Sequence, residues 1–351
     1  MTTLAELGGW PFVLRRLFAR QDLTADEADA ALADVLDGMS TPAQIAAFAA
    51  ALRMKGETIE EMTGLVGALF RYAEPLEVPD AADLVDTCGT GGDRSGSINV
   101  STVAALVVAG AGARVCKHGN RAVSSAAGSA DVLGALGVVA DLGPAGVFRC
   151  LEASGMAFCF APRFHPCYRH AAATRRELGV PTVFNFLGPL ANPARPGRQV
   201  VGVSDPSMAG KVAGVLAANG AVRALVVYGH DGLDELTTTT TSTMLDLRDG
   251  EVTSCTVDPG ALGLAAAEAG DLAGGDADAN ADFARRILDG ERGPHRDIVV
   301  LNAAAGIVAA GLVASMAEGL EAAAASIDDG RAARVLERLA EASTQAAAAE
   351  A

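Results

Sequence analysis

Residues 84–102 read LVDTCGTGGDRSGSINVST, and this stretch indicates the fold of most of the chain. An apolar, β-prone run, Leu84–Cys88, leads into a turn with three closely spaced glycines, and helix-forming residues follow from Asn99. Glycines let backbone N–H groups converge on an anion without interference from a Cβ atom. The N-terminus of the following helix would face the same point. The stretch therefore predicts an α/β fold with an anion site at the end of its first strand.

The glycine turn differs from two common nucleotide-binding motifs. A dinucleotide fingerprint needs a glycine three residues after Gly91, where Arg94 stands. A P-loop needs Gly-Lys followed by Ser or Thr, whereas Gly210-Lys211 is followed by Val212. Because a tight structural turn could use the same glycines, the neighbouring segments have to decide the interpretation.

The chain beyond residue 83 alternates short β-prone runs with glycine turns and alanine-rich helical stretches, which predicts a mostly parallel sheet. Two further runs, Met244–Leu247 and Glu251–Val257, are joined by Asp249-Gly250 and predict a hairpin, which adds an antiparallel excursion. From Val300 onward we expect helices. The predicted parallel strands are Leu84–Cys88, Arg114–Lys117, Val138–Leu142, Met156–Phe160, Gln199–Val203 and Ala224–Tyr228.

The first 75 residues predict helices only. Thr24–Glu27, Thr41–Gln44 and Thr58–Glu61 each have the spacing of a capping box, in which a Ser or Thr and a Glu or Gln satisfy each other's backbone N–H groups. We therefore expect a small all-α N-terminal domain at residues 1–75 and a large α/β domain at residues 76–351.

Composition and charge exclude several classes of protein. The 351 residues include 27 basic and 43 acidic side chains, a net charge of −16, which disfavours binding to nucleic acid or to anionic membranes. The six cysteines form no C-x-x-C pair, which is typical of a reduced, cytosolic protein. The first residues lack the basic region of a secretory signal. The longest apolar runs, Val103–Ala113 and Ala303–Ala314, are too short to span a bilayer.

Two other polar clusters follow predicted strands. Lys117–Ser125 reads KHGNRAVSS and combines two cations, an amide and two hydroxyls. Asp234 and Glu235 offer the hard oxygen ligands that Mg²⁺ takes together with phosphate. Each cluster alone also fits a plain surface loop. Because loops after parallel strands meet at one crevice, we expect the clusters to form one anion site. Arg175, from another segment, could bind a carboxylate with two hydrogen bonds, or lie on a helix surface.

Seven segments together resemble the anthranilate phosphoribosyltransferase family, whose fold is shared with pyrimidine nucleoside phosphorylases. The segments occur in order over nearly the whole chain, and they are specific in combination although each is weak alone. They are ALRMKGET (51–58), DTCGTGGD (86–93), NVST (99–102), KHGNRAVSS (117–125), GSAD (128–131), NFLGPLANP (185–193) and DGLDE (231–235).

The resemblance implies a pentosyltransferase of tryptophan biosynthesis. Such an enzyme transfers the 5-phosphoribosyl group of 5-phosphoribosyl 1-diphosphate to the amine of anthranilate and releases diphosphate. The resemblance implies Mg²⁺ as the cofactor, bound as two ions. The resemblance also implies a cytoplasmic homodimer that associates through the helical domain, with no nucleic-acid or membrane partner. In this family helices from mid-chain, here about 168–190, join the small domain.

The resemblance assigns roles to matching positions of this sequence. Anthranilate would contact Gly89, Asn120 and Arg175, with Arg175 on its carboxylate, and the metals would be served by Ser101, Asp234 and Glu235. No side chain is assigned as a general acid or base, His118 included. The phosphoribosyl diphosphate would be lined by Gly89, Gly92, Asp93, Ser97, Asn99, Val100, Ser101, Thr102, Lys117, His118, Gly119, Asn120, Arg121, Ala122, Val123, Ser124, Ser125 and Ser129.

Two positions depart from the family pattern, and other functions stay open. Ala126 stands near a position where many members have a basic residue, and Ser97 stands where threonine is common. The threonine run 237–241 has no assigned role. A pyrimidine nucleoside phosphorylase, a non-catalytic nucleic-acid-binding relative and a transferase with another aromatic acceptor are the alternatives. A product assay separates the enzymes, and the negative charge weighs against the nucleic-acid-binding alternative.

Overall fold

The computed structural model describes residues 2–122 and 126–350. Three 3₁₀ turns lie at Ala81–Asp83, Pro166–Tyr168 and Ala269–Leu272. The strands are β1 (Leu84–Gly89), β2 (Arg114–Gly119), β3 (Met156–Phe160), β4 (Arg198–Gly202), β5 (Arg223–Gly229), β6 (Ser242–Arg248) and β7 (Glu251–Val257). The helices are α1 (Gly9–Phe18), α2 (Ala25–Leu36), α3 (Pro42–Lys55), α4 (Ile59–Tyr72), α5 (Val100–Gly110), α6 (Ser129–Ala135), α7 (Pro144–Ser154), α8 (Ala161–Phe164), α9 (Arg169–Leu178), α10 (Val183–Leu190), α11 (Pro206–Ala218), α12 (Ala277–Leu288), α13 (Pro294–Ala309), α14 (Met316–Asp328) and α15 (Arg331–Glu350).

Hydrogen bonds at the helix starts explain where α2, α3 and α4 begin. Thr24 Oγ1 accepts from the Glu27 N–H at 3.2 Å, and the Glu27 carboxylate accepts from the Thr24 N–H at 2.9 Å. Residues 41–44 and 58–61 repeat this reciprocal pattern. The three predicted capping boxes are therefore confirmed. They can be predicted from the sequence because the motif satisfies N–H groups within one helical turn and needs no tertiary partner.

Seven strands form one sheet in the order β3-β2-β1-β4-β5-β6-β7. Strands β1 to β5 pair in parallel, and β6 and β7 extend the sheet as an antiparallel hairpin. Asp249 and Gly250 have φ angles of 52° and 82°, which suit a tight two-residue hairpin turn. The predicted architecture, a helical N-terminal part and an α/β part with an antiparallel excursion, is confirmed.

Side chains of the central strands alternate between two hydrophobic cores, as the period of a strand requires. Val200, Leu225 and Val227 join the core that contains α5 and α13. Val201 and Val226 point to the other face and join a core that contains α11 and the N-terminal helices. In the described part of the chain, no helix has both the length and the apolar character needed to cross a membrane.

The predicted strand Val138–Leu142 is wrong, since this segment forms no strand. Val138, Ala140 and Leu142 are buried, so the β-prone run does bury its apolar side chains. The segment runs beside α15, where the Val139 N–H donates to Ser343 Oγ at 3.0 Å. Packing against a helix buries these side chains without pairing in a sheet.

The mid-chain helices α9 and α10 pack with the N-terminal helices. Helix α9 contacts α2 and α3, and α10 contacts α3 and α4. Ala171 of α9 and Phe184 and Leu187 of α10 lie in the same buried core as the N-terminal helices. This arrangement places the segment that carries Arg175 beside the helical part of the molecule.

Candidate active site

The carboxyl ends of β1 and β4 mark the point where the strand order reverses. From β1 the chain continues to β2 and β3 on one side, and from β4 it continues to β5 on the other. Ligands of open α/β sheets bind in the crevice outside such strand ends. Gly89 and Gly202, the last residues of the two strands, lie opposite each other in register.

The loop after β1 rests on the loop after β4. The Thr90 N–H donates to the Gly202 carbonyl at 2.9 Å, and Ser204 Oγ donates to the Gly91 carbonyl at 2.9 Å. Gly91 and Gly92 have φ angles of 65° and 86°, a region that favours glycine. The glycines thus allow the backbone to turn sharply at the strand end.

Asp234 and Glu235 follow β5 and reach back to the loop and helix that follow β1. Asp234 Oδ2 accepts from the Gly91 N–H at 2.7 Å, and Glu235 Oε1 accepts from the Ser101 N–H at 3.2 Å. A Cβ atom on Gly89 would lie only 2.3 Å from Asp234 Oδ2. The predicted acidic pair and the predicted glycine turn therefore meet in one place.

The electrostatics of the acidic pair fit a divalent cation. Burial raises the pKa of the Asp234 carboxyl to about 6, and the charge of Asp93 adds to this rise. Burial and then the charge of Asp234 raise the pKa of Glu235. Two adjacent carboxylates in a desolvated site repel each other, and a bound Mg²⁺ would relieve that repulsion. Oxygen ligands of this kind are those that Mg²⁺ prefers.

Lys117 is buried beneath this site, with 2% of its surface exposed. Its Nζ donates to the Thr87 carbonyl and, at 3.2 Å, to Ser101 Oγ. The cation therefore joins β2 to the end of β1 and to the first turn of α5. Its charge lowers the pKa of Asp234 and Glu235, which partly opposes the effect of burial.

Asp131 organises the loop after β2. Its carboxylate accepts from the Arg121 guanidinium at 2.9 Å and from the backbone N–H groups of Ala122 and Gly128 at 2.9 and 3.0 Å. Partial desolvation opposes these contacts, but together they lower the pKa of Asp131. One carboxylate thus holds Arg121, Ala122 and Gly128 together.

Asn99 connects the two loops through its side-chain amide. Its Nδ2 donates to the Ala127 carbonyl at 3.1 Å, and its Oδ1 accepts from Asn280 Nδ2 at 2.8 Å. Asn280 is 4% exposed and lies on α12. The loops after β1 and β2 are therefore fixed to each other and to a helix distant in sequence.

His118 and His165 form a buried pair, with ring centroids 5.5 Å apart. His118 Nδ1 donates to the Gly188 carbonyl at 3.1 Å, and His165 Nε2 donates to the Ala191 carbonyl at 2.7 Å. Burial, and next the neighbouring His165, lower the pKa of His118 to about 3, so its ring is neutral. Burial also lowers the pKa of His165.

Arg175 lies on α9, with its guanidinium over two aromatic rings. The distances from its Cζ atom to the ring centroids are 5.1 Å for Tyr168 and 5.9 Å for Phe184. Tyr168 is itself held by a hydrogen bond of 3.0 Å from its hydroxyl to the Phe184 carbonyl. These rings restrict the orientation of the arginine on α9.

The structure brings most of the predicted site residues to the same end of the sheet. The residues from Gly89 to Thr102 lie at the end of β1, in the loop after it and on the first turn of α5. The described residues from Lys117 to Ser129 lie on β2, in the loop after it and at the start of α6. Asp234 and Glu235 follow β5. Arg175 comes from α9 instead. Val123, Ser124 and Ser125 lie outside the described residues. The members that are described are Gly89, Gly92, Asp93, Ser97, Asn99, Val100, Ser101, Thr102, Lys117, His118, Gly119, Asn120, Arg121, Ala122, Ser129, Asp234 and Glu235.

Sequence reasoning missed several residues that support the site. Asp86 is fully buried and accepts from Asn192 Nδ2 at 2.9 Å and from the His118 N–H at 3.1 Å. Asp86 and Asn192 both lie within the segments that carry the family resemblance, so their place in a shared motif was a signal. Asn280 lies outside those segments, as does Asn302, which bonds to both backbone groups of Leu236. No sequence pattern marked either residue.

The comparisons with known proteins cover nearly the whole chain. The description "Glycosyl transferase family, helical bundle domain" matches residues 12–73, and "Glycosyl transferase family, a/b domain" matches residues 81–333. The anthranilate phosphoribosyltransferase of Arthrobacter sp. (strain FB24) is 53% identical over 335 residues, which cover 94% of each chain. The enzyme of that name from Acidothermus cellulolyticus is 53% identical over 348 residues, 97% of each chain.

Solved structures show the same similarity. The crystal structure of anthranilate phosphoribosyltransferase from Thermus thermophilus has a TM-score of 0.89 and 40% identity, covering 95% of this chain and 99% of that one. The Saccharomyces cerevisiae enzyme in complex with 5-phosphoribosyl 1-diphosphate and Mg has a TM-score of 0.87 and 27% identity, covering 96% and 98%. The yeast enzyme is also known in complex with 4-fluoroanthranilate.

Proposed function

The chain belongs to the anthranilate phosphoribosyltransferases of the glycosyl transferase family, and from this premise we propose how its residues carry out the reaction. The enzyme transfers the 5-phosphoribosyl group of 5-phosphoribosyl 1-diphosphate to the amine of anthranilate and releases diphosphate, a step of tryptophan biosynthesis. One observation supports this function best: Asp234 and Glu235 bond to the glycine loop and to the first turn of α5.

The loops after β1 and β2 bind the phosphoribosyl diphosphate. Converging backbone N–H groups of the glycine loop suit phosphate oxygens. The Gly91 and Ser101 N–H groups donate to Asp234 and Glu235 instead and hold the acidic pair beside this loop. The side chain of Arg121 adds a cation that is 63% exposed, and Ser129 adds a hydroxyl. Val123, Ser124 and Ser125, which the family resemblance also assigns to this substrate, follow in the sequence. The site thereby supplies local donors to an anionic substrate although the protein is acidic.

Asp234, Glu235 and Ser101 hold Mg²⁺, which we propose binds as two ions. Two carboxylates suit Mg²⁺, which typically takes one or two of them together with substrate phosphates. When bound, Mg²⁺ would supply Lewis-acid neutralisation of the diphosphate charge. Lys117 keeps Ser101 in place and compensates part of the carboxylate charge from below.

Anthranilate binds between the glycine loop and α9. Arg175 pairs with its carboxylate, and Gly89 and Asn120 contact its ring and amine. The aniline nitrogen has a free lone pair at neutral pH, so attack on the anomeric carbon needs no strong base beforehand. We therefore assign catalysis to positioning and electrostatic stabilisation, without a covalent enzyme intermediate. Neutral His118 is assigned no acid or base role.

The functional enzyme is a homodimer formed through the helical domain. Phe18 at the end of α1 and Met54 on α3 are 67% and 73% exposed. They line one depression, together with Leu17, Ala47, Ala50 and Ala51 and the basic residues Arg20 and Lys55. Large exposed apolar side chains grouped in this way support the proposed association. We place the enzyme in the cytoplasm, which agrees with six cysteines present as free thiols.

The decisive experiment mixes the purified protein with anthranilate, 5-phosphoribosyl 1-diphosphate and Mg²⁺, and follows anthranilate fluorescence. We expect the fluorescence to disappear with the release of one diphosphate per anthranilate. Replacing both Asp234 and Glu235 by Ala should depress turnover and weaken its dependence on Mg²⁺. A variant with Glu337 and Glu341 replaced by Ala, on the exposed face of α15, removes the same charge elsewhere and should keep normal activity.

Other outcomes would identify a different protein. Phosphorolysis of a pyrimidine nucleoside, without consumption of anthranilate, would identify a nucleoside phosphorylase. Tight binding to DNA at physiological salt, without catalysis, would identify a nucleic-acid-binding relative. Consumption of 5-phosphoribosyl 1-diphosphate only with another aromatic acid would reassign the acceptor. Normal activity of the doubly substituted acidic variant would exclude the metal role of Asp234 and Glu235.

A further inference from the structure

The threonine run 237–241, which the reaction leaves without a role, lies directly after the acidic pair and alternates in its contacts. The hydroxyls of Thr237 and Thr239 both donate to Asp231 Oδ2, the former at 2.7 Å. Thr241 Oγ1 lies 2.8 Å from His230 Nδ1. Three alternate threonines thus bond back to the loop between β5 and the acidic pair.

Asp231 uses its carboxylate entirely within this loop. Besides the two threonine hydroxyls at Oδ2, its Oδ1 accepts from the Leu233 N–H at 3.2 Å. The Leu233 carbonyl in turn accepts from the Gly229 N–H at 2.9 Å. Asp231, Thr237 and Thr239, here the Asp231 cluster, therefore close the chain on both sides of Asp234 and Glu235.

Asn302 of α13 holds the same segment from below. Its Oδ1 accepts from the Leu236 N–H at 2.9 Å, and its Nδ2 donates to the Leu236 carbonyl at 2.8 Å. Asn302 is 3% exposed and Leu236 is fully buried. The residue that follows Glu235 is thus bonded through both of its backbone groups to one helix of the core.

The acidic pair needs such support for an electrostatic reason. Two adjacent carboxylates in a buried site repel each other and lose hydration, so a mobile loop would relax by turning them toward water. The Asp231 cluster and Asn302 hold the backbone without using either carboxylate of the pair. Neighbouring bonds therefore hold the pair in place, and apart from the bonds that they accept from the Gly91 and Ser101 N–H groups, the two carboxylates stay available to a metal.

We propose that Asp231, through Thr237 and Thr239, is a positioning residue that fixes Asp234 and Glu235 for metal-bound 5-phosphoribosyl 1-diphosphate. The inference rests on the proposed function, since it assigns these bonds to the metal site of that reaction. We assign Asp231 no metal contact, because its Oδ2 accepts from both threonine hydroxyls. Outer groups that orient metal ligands typically change metal affinity by about 10- to 100-fold when they are removed.

The test replaces Thr237 and Thr239 by Val, which removes both hydroxyls and keeps the side-chain shape. Mn²⁺ binding is measured by electron paramagnetic resonance with 5-phosphoribosyl 1-diphosphate and without anthranilate, so no turnover occurs. We expect Mn²⁺ affinity to fall about tenfold. The Mg²⁺ concentration for half-maximal activity should rise similarly, while the anthranilate KM stays unchanged. Thr243→Val is the matched control, because Thr243 Oγ1 faces His230 Nε2 at 2.8 Å and not Asp231.

Two further variants keep the test conclusive if the double variant fails to fold. Asp231→Asn removes the charge at almost constant volume and should show the same loss of Mn²⁺ affinity. Thr239→Ser retains the hydroxyl and should keep the wild-type affinity for Mn²⁺. Unchanged Mn²⁺ affinity in Asp231→Asn, or equal losses in Thr243→Val, would overturn the inference while leaving the proposed function intact. A wild-type protein without substrate-dependent Mn²⁺ binding or transferase activity would overturn both.

Discussion

In the segment between β5 and β6 that carries Asp234 and Glu235, here the acidic loop, buried side chains differ in whether their polar atoms have a hydrogen-bond partner. Thr237 and Thr238 are adjacent and nearly fully buried, at 0% and 1% exposure. Thr237 donates to Asp231, whereas the Thr238 hydroxyl has no hydrogen-bond partner among the described residues. A buried polar group without a partner costs about 1–3 kcal/mol, which is more than a satisfied one returns.

Thr238→Val should therefore stabilise the protein. The substitution replaces an unsatisfied hydroxyl by a methyl group of similar volume, and we expect the free energy of unfolding to rise by about 1 kcal/mol. Thr237→Val is the neighbouring control and should lower it by about the same amount, because it removes a bonded donor. Urea denaturation of both variants measures the difference, and a loss of stability in Thr238→Val would contradict this account.

Arg175→Ala should act on substrate binding. The loss of a charge-assisted contact to the anthranilate carboxylate costs about 1.5–3 kcal/mol, so the anthranilate KM should rise roughly 10- to 150-fold. The KM for 5-phosphoribosyl 1-diphosphate should change little. Arg176→Ala removes a neighbouring, exposed cation from the same helix and serves as the control. Steady-state kinetics that leave the anthranilate KM of Arg175→Ala unchanged would reject the assignment.

Among the elements, the ends of strands β1 and β4 show how closely the acidic loop approaches the sheet. A Cβ atom on Gly202 would lie 1.6 Å from the Asp234 carbonyl oxygen and 2.5 Å from its carbonyl carbon. These neighbours are backbone atoms, which cannot rotate away as a flexible side chain can. Glycine at this position is therefore required by packing, and the φ angle plays no part.

Gly202→Ala should disturb the strand end and the acidic loop together. Overpacking of this kind costs typically about 1–3 kcal/mol, and the displaced Asp234 should also weaken the Mg²⁺ dependence of activity. Gly210→Ala provides the control, because nothing lies within 4 Å of a Cβ atom there and the residue is inside α11. Thermal unfolding and a Mg²⁺ titration measure both effects. Wild-type stability in Gly202→Ala would show that the loop can yield.

The elements also show the limit of a pattern read in one dimension. The runs that became β1, β3 and the β6–β7 hairpin were identified because apolar residues and turn residues coincide there. The run Val138–Leu142 is also apolar and β-prone but packs against α15, where Val139 bonds to Ser343, 204 residues later in the chain. An apolar run indicates burial, and it does not distinguish a neighbouring strand from a neighbouring helix.

For the whole molecule, the buried histidines should make stability depend on pH. His118 is neutral when folded, since burial lowers its pKa to about 3, and it titrates near 6.5 when unfolded. The unfolded state therefore binds more protons below pH 6.5, and this contribution to stability is complete above pH 6.5 and is lost as pH falls toward 3. The raised pKa values of Asp234 and Glu235 act in the opposite direction.

A variant isolates the histidine contribution from that of the carboxyls. His118→Asn keeps an N–H donor near the Gly188 carbonyl but no longer titrates. The free energy of unfolding of the wild type should fall between pH 7.5 and pH 5.5, and that of the variant should fall by about 1.4 kcal/mol less. The reason is that pH 5.5 lies one unit below the pKa of an unfolded histidine, and one unit corresponds to about 1.4 kcal/mol. Urea denaturation at the two pH values, without ligands, gives the difference. Equal losses would show that His118 does not titrate on unfolding.

The proposal that the helical domain forms a dimer through Phe18 and Met54 can be tested by measuring the oligomeric state. Replacing Phe18 and Met54 by Glu places two charges in the centre of the proposed interface and should convert a dimer into a monomer. Leu312→Glu, at an exposed position after α13, is the control and should leave the dimer intact. Size-exclusion chromatography with light scattering distinguishes one chain from two. A wild-type protein that is monomeric at micromolar concentration would exclude this assembly.

The sequence by itself determined the features that depend on neighbouring residues. Capping boxes, the Asp249-Gly250 turn and the strand–glycine–helix order act within a few residues, where backbone sterics and hydrogen bonds suffice to specify them. The ordered motifs also identified the family and the three clusters at the strand ends. These local preferences do not depend on the distant chain.

Only the tertiary structure decided how the clusters are held together. The contact of Asp234 with Gly91 spans 143 residues, and that of Asn280 with Asn99 spans 181. Asp86 with Asn192 and Asn302 with Leu236 likewise join elements far apart in the sequence. Such bonds arise when sheet order and helix packing bring buried polar groups together, since each must then find a partner in a place that water does not reach.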